Sequence, residues 1–373
     1  MSKDICFEQI ESEIEDDYSD DSLFNISSWG ADLSFREIIT MYEENELIKP
    51  ELQRKYVWDK TEASRFIDSL LIGLPVPSVF FAKSGSQKLI VDGYQRIMTV
   101  YDYVHGIFSG DGSVFKLSNT EKINKRWRNL TFNQLTIDQQ RKIKSTTIHA
   151  IIFEQKEPEN DDTSMYQIFE RINTSGKTLT SQEIRNCVYQ GSLNTLLFEL
   201  NDDANWRLLY GSSAPDSRMR DVECILRFFV MNSDIVQKSE ATQISLKKVL
   251  NDYMNTNRNA EISELEKYKV AFCETMKKIV NSIGVKAFRN YVNGKYSRKF
   301  NPTLYDAIAA AFYRINKGSL PSLVDKHKEL FDNKEFIDAC RQHTTTIENI
   351  KKRMSIAERV LFEGINDDGK CSD

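Results

Sequence analysis

The chain has 373 residues, of which 40% are hydrophobic and 28% are charged, and its formal net charge at pH 7 is -5. This length allows two domains with separate cores, and the net charge argues against a generally basic nucleic-acid binder. No apolar run reaches the length of a membrane span, and the first residues are acidic where a secretion signal would be basic and then apolar. We therefore expect a cytoplasmic protein with no membrane partner.

The first 30 residues hold nine acidic side chains against one basic side chain, Lys3. This composition predicts a flexible acidic tail over residues 1–30. An alternative is that the tail mimics DNA and occupies a basic groove until a real substrate displaces it. The six cysteines form no C-x-x-C pair and no metal-ligand spacing with histidine, so they read as reduced thiols.

Residues 33–42 have the pattern of a helix, and residues 46–58 read as extended because Pro50 prevents an early helix. An amphipathic helix is then predicted to open at Thr61 and to end at Gly73. Two strands follow, near residues 79–82 and 89–91, and a short turn joins them.

The segment from Lys88 to Val104 is the centre of the first domain. A β-branched strand, residues 89–91, meets a helix through the sequence Asp-Gly-Tyr-Gln-Arg. We expect Asp92 to cap this helix and Gly93 to let a ligand approach the backbone.

This corner is our candidate catalytic site. First-turn amides favour phosphate, Arg96 supplies a forked cation, Gln95 could orient a water molecule, and Asp92 could hold a hydrated magnesium ion. The alternative is structural: Asp92 is only a cap, and Gln95 and Arg96 are solvated first-turn residues.

Two later stretches are basic and contain aromatic residues. Residues 116–144 hold eight bases and two acids with Trp127 and Phe132 among them, and residues 284–300 hold five bases and no acid. Such stretches suit DNA, because bases attract the phosphate backbone and aromatic rings can stack. In the second stretch the candidate nucleic-acid-binding residues are Lys286, Arg289, Lys295, Arg298 and Lys299. The alternatives are a solvated insertion for the first stretch and a helix connection with core aromatics for the second.

An apolar strand at residues 148–153 closes the first domain, and the acidic segment 154–163 marks its boundary. Beyond it the pattern is almost wholly helical. Thr180 and Glu183 form a capping box, and seven further helices are predicted, with Ser192, Ser245 and Asn301 as caps. These helices cover residues 193–200, 219–231, 246–255, 262–283, 302–315, 334–341 and 347–362. The predicted organisation is a tail (1–30), an α/β domain (31–155), a helical domain (164–363) and a short tail (364–373).

Four ordered motifs resemble the N-terminal domain family of GmrSD-type restriction endonucleases. They are Gln53-Arg54 with Trp58, the phrase FIDSLLIGLPVP, the D-G-x-Q-R corner, and the phrase IFERINTSGKTLTSQEIRN. The resemblance runs from about Leu33 to Phe362, and the family is similar in fold to ParB and sulfiredoxin. It implies a ParB/sulfiredoxin-like α/β (α+β) domain followed by a mostly α-helical domain.

The same resemblance implies a nucleotide site and a role in defence against foreign DNA. It assigns catalysis to Asp92, Gln95 and Arg96, with Asp92 also the metal ligand, and implies Mg²⁺ and a nucleoside triphosphate as cofactors. The implied nucleotide-binding residues are Gly93, Gln53, Arg54, Asn173, Arg185 and Asn186. The alternative for Asn173 is structural, because asparagine suits a helix end that needs a left-handed backbone.

Two features limit the transfer. Tyr94 stands where many relatives carry Gln or Leu. Many DNA-cutting relatives add an HNH nuclease domain, and the four scattered histidines here form no such arrangement. No P-loop sequence is present either, so triphosphatase activity would need a different phosphate cradle.

Three hypotheses follow. The first is a nucleotide-hydrolysing or nucleotide-sensing component of an anti-phage restriction system, acting with DNA and with a partner nuclease or through self-association. The second is a DNA-binding or adaptor module that binds nucleotide without turnover. The third, a self-sufficient nuclease, ranks last because no P-D-(D/E)-x-K or HNH signature is present.

Overall fold

The computed structural model describes residues 25–48, 58–157, 163–172, 179–315 and 320–364. The chain divides into two compact units, an α/β unit formed by residues 22–179 with 186–188 and a helical unit formed by residues 180–185 with 189–373. The predicted fold class, an α/β domain followed by a mostly helical one, is confirmed.

The α/β unit is built on a five-stranded mixed sheet in the order β1-β5-β3-β4-β2. Its strands are β1 (Asn25–Ser34), β2 (Leu47–Ile48), β3 (Val79–Ser84), β4 (Gln87–Asp92) and β5 (Thr147–Glu157). The β1–β5 and β3–β4 pairs are antiparallel, and the β3–β5 and β2–β4 pairs are parallel. The parallel pairs need crossovers, and helices supply them.

Five helices accompany this sheet: α1 (Phe35–Glu43), α2 (Lys60–Ile72), α3 (Tyr94–His105), α4 (Ile137–Ser145) and α5 (Thr163–Ile172). Local signals set their ends. Asp59 caps α2 with a capping box, and Gly73 ends that helix in the left-handed conformation, as predicted. One apolar core joins α1, α2 and α3 to the strands, with Phe35, Ile67 and Phe81 among its fully buried members.

The sheet begins earlier than the sequence predicted. Strand β1 pairs with β5 from Asn25 to Ser34, so six residues of the predicted tail 1–30 are in the sheet. Helix α1 accordingly starts at Phe35 rather than at Leu33, because Ser34 is its cap and forms a capping box with Glu37.

The insertion at residues 116–144 is folded onto the core. Trp127 and Phe132 are buried, and the Trp127 indole Nε1 donates a 2.6 Å hydrogen bond to the buried Asp68 Oδ1. Lys142 Nζ donates to the Leu71 carbonyl at 2.8 Å. The DNA-stacking reading of these aromatics is wrong, because both rings anchor a solvated insertion, as the alternative held.

The helical unit contains α6 (Ser181–Val188), whose last three residues count with the α/β unit, and a series of helices after it. These are α7 (Ser192–Asn201), α8 (Ala204–Tyr210), α9 (Arg220–Asn232), α10 (Asp234–Gln237), α11 (Leu246–Thr256), α12 (Ile262–Ser282), α13 (Pro302–Arg314), α14 (Val324–Glu329), α15 (Lys334–Arg341) and α16 (Ile347–Phe362). All seven helices predicted in this region are present. Ser245 and Asn301 are caps as predicted, whereas Gly191 and not Ser192 occupies the cap of α7.

A buried ionic cluster holds α9, α13 and α16 together. Asp306 Oδ2 lies 2.5 Å from Arg227 Nη2 and 3.4 Å from Arg353 Nη2, and none of these side chains is more than 3% exposed. Asp306 Oδ1 also accepts from Arg227 Nε at 3.1 Å, and Arg353 donates to the Thr344 carbonyl at 2.7 Å. The Asp306 carboxylate therefore balances part of the charge of two guanidinium groups where water cannot reach them, and Arg353 Nε has no hydrogen-bond partner among the described residues.

Residues 291–296 form a hairpin that the sequence analysis missed. Strands β6 (Tyr291–Val292) and β7 (Lys295–Tyr296) pair in antiparallel register around Asn293 and Gly294, which both have positive φ. The dipeptide Asn-Gly between two short strands is the usual signal for such a turn. The basic residues of this segment led to a DNA-binding interpretation instead, and the turn signal was not used.

Candidate nucleotide site

The predicted corner lies where β4 ends and α3 begins. Asp92 is the last residue of β4, and Gly93 occupies the helix cap position with φ 99° and ψ 3°. No side chain caps this helix. The expectation that Asp92 caps α3 is therefore wrong, because the glycine takes that position and leaves the carboxylate one residue outside the helix.

Glycine is required at this corner by its conformation and its packing. A φ of 99° is strained for any residue with a side chain. A Cβ at Gly93 would stand 2.3 Å from Val79 Cγ1 on the neighbouring strand β3. The glycine therefore allows α3 to start directly against the sheet.

Asp92 and Arg96 form an ion pair across the first turn of α3, with 2.7 Å between Asp92 Oδ2 and Arg96 Nη2. Their side chains are 27% and 14% exposed. Among the described residues this is the one hydrogen bond of either side chain, so Asp92 Oδ1 and the other guanidinium N–H groups keep bonding capacity. A single partly exposed pair stabilises a fold by about 0–1 kcal/mol, so it contributes little to folding.

Gln95 contacts the end of the preceding segment. Its Oε1 accepts a hydrogen bond of 3.2 Å from the Trp58 backbone N–H, and the Trp58 ring packs on Phe66 with centroids 5.7 Å apart. The sequence analysis named Trp58 in a motif but gave it no contact, because a backbone donor leaves no signature in its side chain. Gln53 and Arg54, five and four residues earlier, lie outside the described residues.

The corner offers Mg²⁺ a single carboxylate ligand, which suits a metal ion that also binds water and substrate phosphate. In the part of the chain that the structure describes, no group of three or more His, Cys, Asp or Glu side chains could hold a metal. Mg²⁺ commonly binds through one or two carboxylates, keeps several waters and takes substrate phosphates as further ligands. Asp92 Oδ1 supplies one such carboxylate oxygen.

The structure gives Arg185 interior partners. The side chain is 1% exposed, and it donates to Asn251 Oδ1 at 2.8 Å and to Gln182 Oε1 and Glu223 Oε2 at 2.9 Å. Arg185 therefore belongs to the interior of the helical unit, which corrects its assignment to an open nucleotide site. Asn186 is fully buried, and Asn173 lies outside the described residues.

The five candidate DNA-binding bases of segment 284–300 differ in burial: one is buried and four are exposed. Arg289 is 4% exposed, donates to the Tyr210 carbonyl at 2.7 Å, and stacks on the buried Phe300 ring at 5.0 Å. Burial lowers the pKa of Arg289 to about 10. Its assignment to a DNA-binding surface is wrong, because its guanidinium is used inside the protein. The other four candidate bases of the segment are exposed, namely Lys286, Lys295, Arg298 and Lys299.

Residues 35–190 match the family model described as GmrSD restriction endonuclease, N-terminal domain. The match confirms the family resemblance that the four motifs predicted, and it contains the whole corner. It ends at residue 190, whereas the resemblance was expected to run to Phe362. The description of that family is of a domain found in restriction endonucleases, and the match covers residues 35–190 of the 373 in the chain. No curated protein matches the sequence. In the described part of the chain, no helix is both long enough and apolar enough to cross a membrane.

Proposed function

We propose that this protein binds a nucleoside triphosphate at the Asp92–Arg96 corner and hydrolyses it with Mg²⁺. The observation that supports this most is the Asp92–Arg96 pair itself. It lies beside the uncapped N-terminus of α3, and both side chains have bonding capacity that the fold does not use. A charge pair with little structural role at a glycine corner is well suited to a ligand.

Phosphate binding follows from the backbone and from Arg96. The first turn of a helix directs N–H groups and a partial positive charge outwards, and this favours an anion. The guanidinium of Arg96 can donate two parallel hydrogen bonds to phosphate oxygens while it stays beside Asp92. Gly93 brings the backbone close to that anion.

In the hydrolysis a water oxygen forms a bond to the γ-phosphorus, and the bond from that phosphorus to the bridging oxygen breaks. The products are inorganic phosphate and a nucleoside diphosphate, and the proton of the water passes to solvent or to phosphate. Arg96 stabilises the charge that develops on the phosphoryl oxygens. Asp92 would hold Mg²⁺, which when bound neutralises phosphate charge.

Gln95 has two roles in this proposal. It orients the attacking water, as the resemblance implies, and it fixes Trp58 at the end of the segment that carries Gln53 and Arg54. Nucleotide binding would then act on DNA or on a partner nuclease through the helical unit, whose four exposed bases in segment 284–300 are the proposed DNA contacts. The cutting of DNA falls to a partner.

The test is phosphate release from each nucleoside triphosphate with Mg²⁺, with and without DNA. We expect turnover to fall at least about a hundredfold in Asp92→Ala and in Arg96→Ala, since a lost charge contact at a transferring phosphate costs about that much. The matched control is Asp138→Ala, which removes an exposed carboxylate from a similar short-range Arg pair, Asp138 with Arg141, in the same unit. It should keep wild-type turnover.

Three results would contradict hydrolysis at this corner. Equal loss in Asp138→Ala would mean that the assay reports general damage. Nucleotide binding by folded wild-type protein without turnover would favour the adaptor hypothesis, and cleavage of plasmid DNA by the protein alone with added metal would favour the nuclease hypothesis.

A further inference from the structure

The helical unit contains a pocket of about 430 Å³ beside the β6–β7 hairpin, far along the chain from the corner. Its size lies in the range of small-ligand sites, roughly 300–1,000 Å³. Three parts of the unit line it: the hairpin, the start of α13, and the segment from Phe331 through α15. The lining residues used below are Tyr291, Val292, Phe331, Asp332, Phe336 and Arg341.

Aromatic side chains provide the pocket with rigid apolar surface. Tyr291 and Phe331 lie with ring centroids 6.4 Å apart, and Phe336 is 1% exposed. The hairpin is held on the same face as Tyr291, because Tyr296, the cross-strand partner of Tyr291, donates from its hydroxyl to Nδ1 of the buried His327 at 3.2 Å. An aromatic surface held in place in this way is suited to a planar ligand.

The pocket also has a cation that the fold does not use. Arg341 lines it and is exposed. In the part of the chain that the structure describes, this side chain has no acidic partner. On the adjacent helix α14, by contrast, Lys326 pairs with Glu329 at 3.5 Å and Lys328 with Asp325 at 2.8 Å. An exposed cation without an acidic partner, beside an aromatic surface, indicates an anionic ligand with a flat apolar part.

We propose that this pocket binds a nucleotide unit, with the base against Tyr291 and Phe331 and the phosphate on Arg341. Aromatic side chains bind bases of any sequence by stacking, and arginine binds phosphate through paired hydrogen bonds. Asp332 adds an acceptor suited to an exocyclic amino group of a base. The nucleotide is either free or an unpaired residue of a nucleic-acid strand, and the same chemistry serves both.

This site is separate from the corner and does not depend on the proposed hydrolysis. An inorganic anion would use Arg341 but not the aromatic surface. An apolar ligand would use the aromatic surface but not Arg341. The combination is what selects a phosphorylated heterocycle.

The experiment titrates the full chain with each deoxynucleoside monophosphate, with 2-deoxyribose 5-phosphate, and with a short single-stranded oligonucleotide. Two variants test the pocket. Arg341→Ala removes the phosphate contact, and Val292→Glu places an acid at an exposed position that lines the pocket and so repels an anionic ligand. Lys326→Ala is the matched control, since it removes a cation already paired on the neighbouring helix.

We expect both pocket variants to weaken nucleotide binding at least tenfold and the control to change it less than twofold. The sugar phosphate, which lacks the base, should bind at least tenfold more weakly than the monophosphates. The oligonucleotide could bind while the free monophosphates do not, with binding weakened in both variants. This result would identify the ligand as an unpaired residue of a nucleic-acid strand.

Three results would overturn the proposal: equal binding of sugar phosphate and nucleotide, unchanged binding in Val292→Glu, or no binding of any probe to folded wild-type protein. Val292→Glu keeps the test decisive if Arg341→Ala does not fold, because Val292 is 52% exposed. Asp92-dependent phosphate release, measured on the same variants, should be unchanged, so failure at one site is distinguishable from failure at the other.

Discussion

The two units use arginine–aspartate pairs in opposite ways. In the helical unit, Asp306 is enclosed by Arg227 and Arg353, and all three side chains are at most 3% exposed. In the α/β unit, Asp92 and Arg96 share a single contact at a partly exposed glycine corner. The first group is part of the structure, and removing one member leaves a charge unpaired in the interior. The second pair contributes little to folding, and its unused bonding capacity is available to a ligand.

The largest expected effect is at the buried cluster. Asp306→Ala should lower the free energy of unfolding by about 3–5 kcal/mol, because two guanidinium groups would lose their counter-charge where water cannot replace it. Denaturant unfolding followed by circular dichroism measures this. Replacing all three members by apolar residues, with Arg227→Met, Asp306→Leu and Arg353→Met, should cost less than Asp306→Ala alone. A loss below about 1 kcal/mol in Asp306→Ala would show that the cluster is not structural.

The next effect depends on pH and also belongs to the helical unit. Burial lowers the pKa of His327 from 6.5 to about 4, and its Nε2 donates to the Ala287 carbonyl at 2.8 Å. Because the folded pKa lies below the unfolded one, this histidine's contribution is complete above pH 6.5 and is lost as pH falls from 6.5 towards 4. At 1.36 kcal/mol per pKa unit the loss amounts to about 3 kcal/mol.

The measurement for His327 is the free energy of unfolding between pH 7 and pH 4, compared between wild type and His327→Gln. Glutamine can donate and accept but does not titrate, so the difference between the two profiles should shrink or reverse as pH falls. Parallel profiles would mean that His327 does not titrate differently in the folded and unfolded states.

At the corner, Gly93→Ala tests the backbone rather than the charges. The left-handed conformation alone costs about 1–3 kcal/mol for a residue with a Cβ, and contact with Val79 adds to it. Gly106→Ala is a matched control at the other end of α3, since it has φ 84° and nothing within 4 Å of the added Cβ. Gly106→Ala should lower the free energy of unfolding only by the cost of the left-handed backbone conformation. Val79→Ala should recover part of the loss in Gly93→Ala and none in Gly106→Ala.

The smallest expected effect on stability is that of Asp92→Ala, below about 1 kcal/mol. The same substitution is expected to lower phosphate release at least about a hundredfold, so the effects on stability and on activity should separate at this residue. The denaturant midpoint and the turnover are measured on one preparation. A loss of stability as large as that of Asp306→Ala would remove the contrast between the two pairs.

The sequence by itself determined most helix ends and the position of the corner. Capping and periodicity act within about four residues, so Gly73, Ser245, Asn301 and the Thr180–Glu183 box could be read directly. The D-G-x-Q-R corner was found for the same reason, because a strand, a glycine and a helix follow one another without interruption.

Only the tertiary structure decided which charges are available to a ligand. Arg185 and Arg289 look like surface bases in the sequence, yet their partners Asn251 and Tyr210 lie 66 and 79 positions away in the chain. The pocket likewise combines the hairpin with residues from α15. Whether a charged side chain is buried depends on which segments, distant in the sequence, pack against it. A local sequence pattern carries no information about those segments.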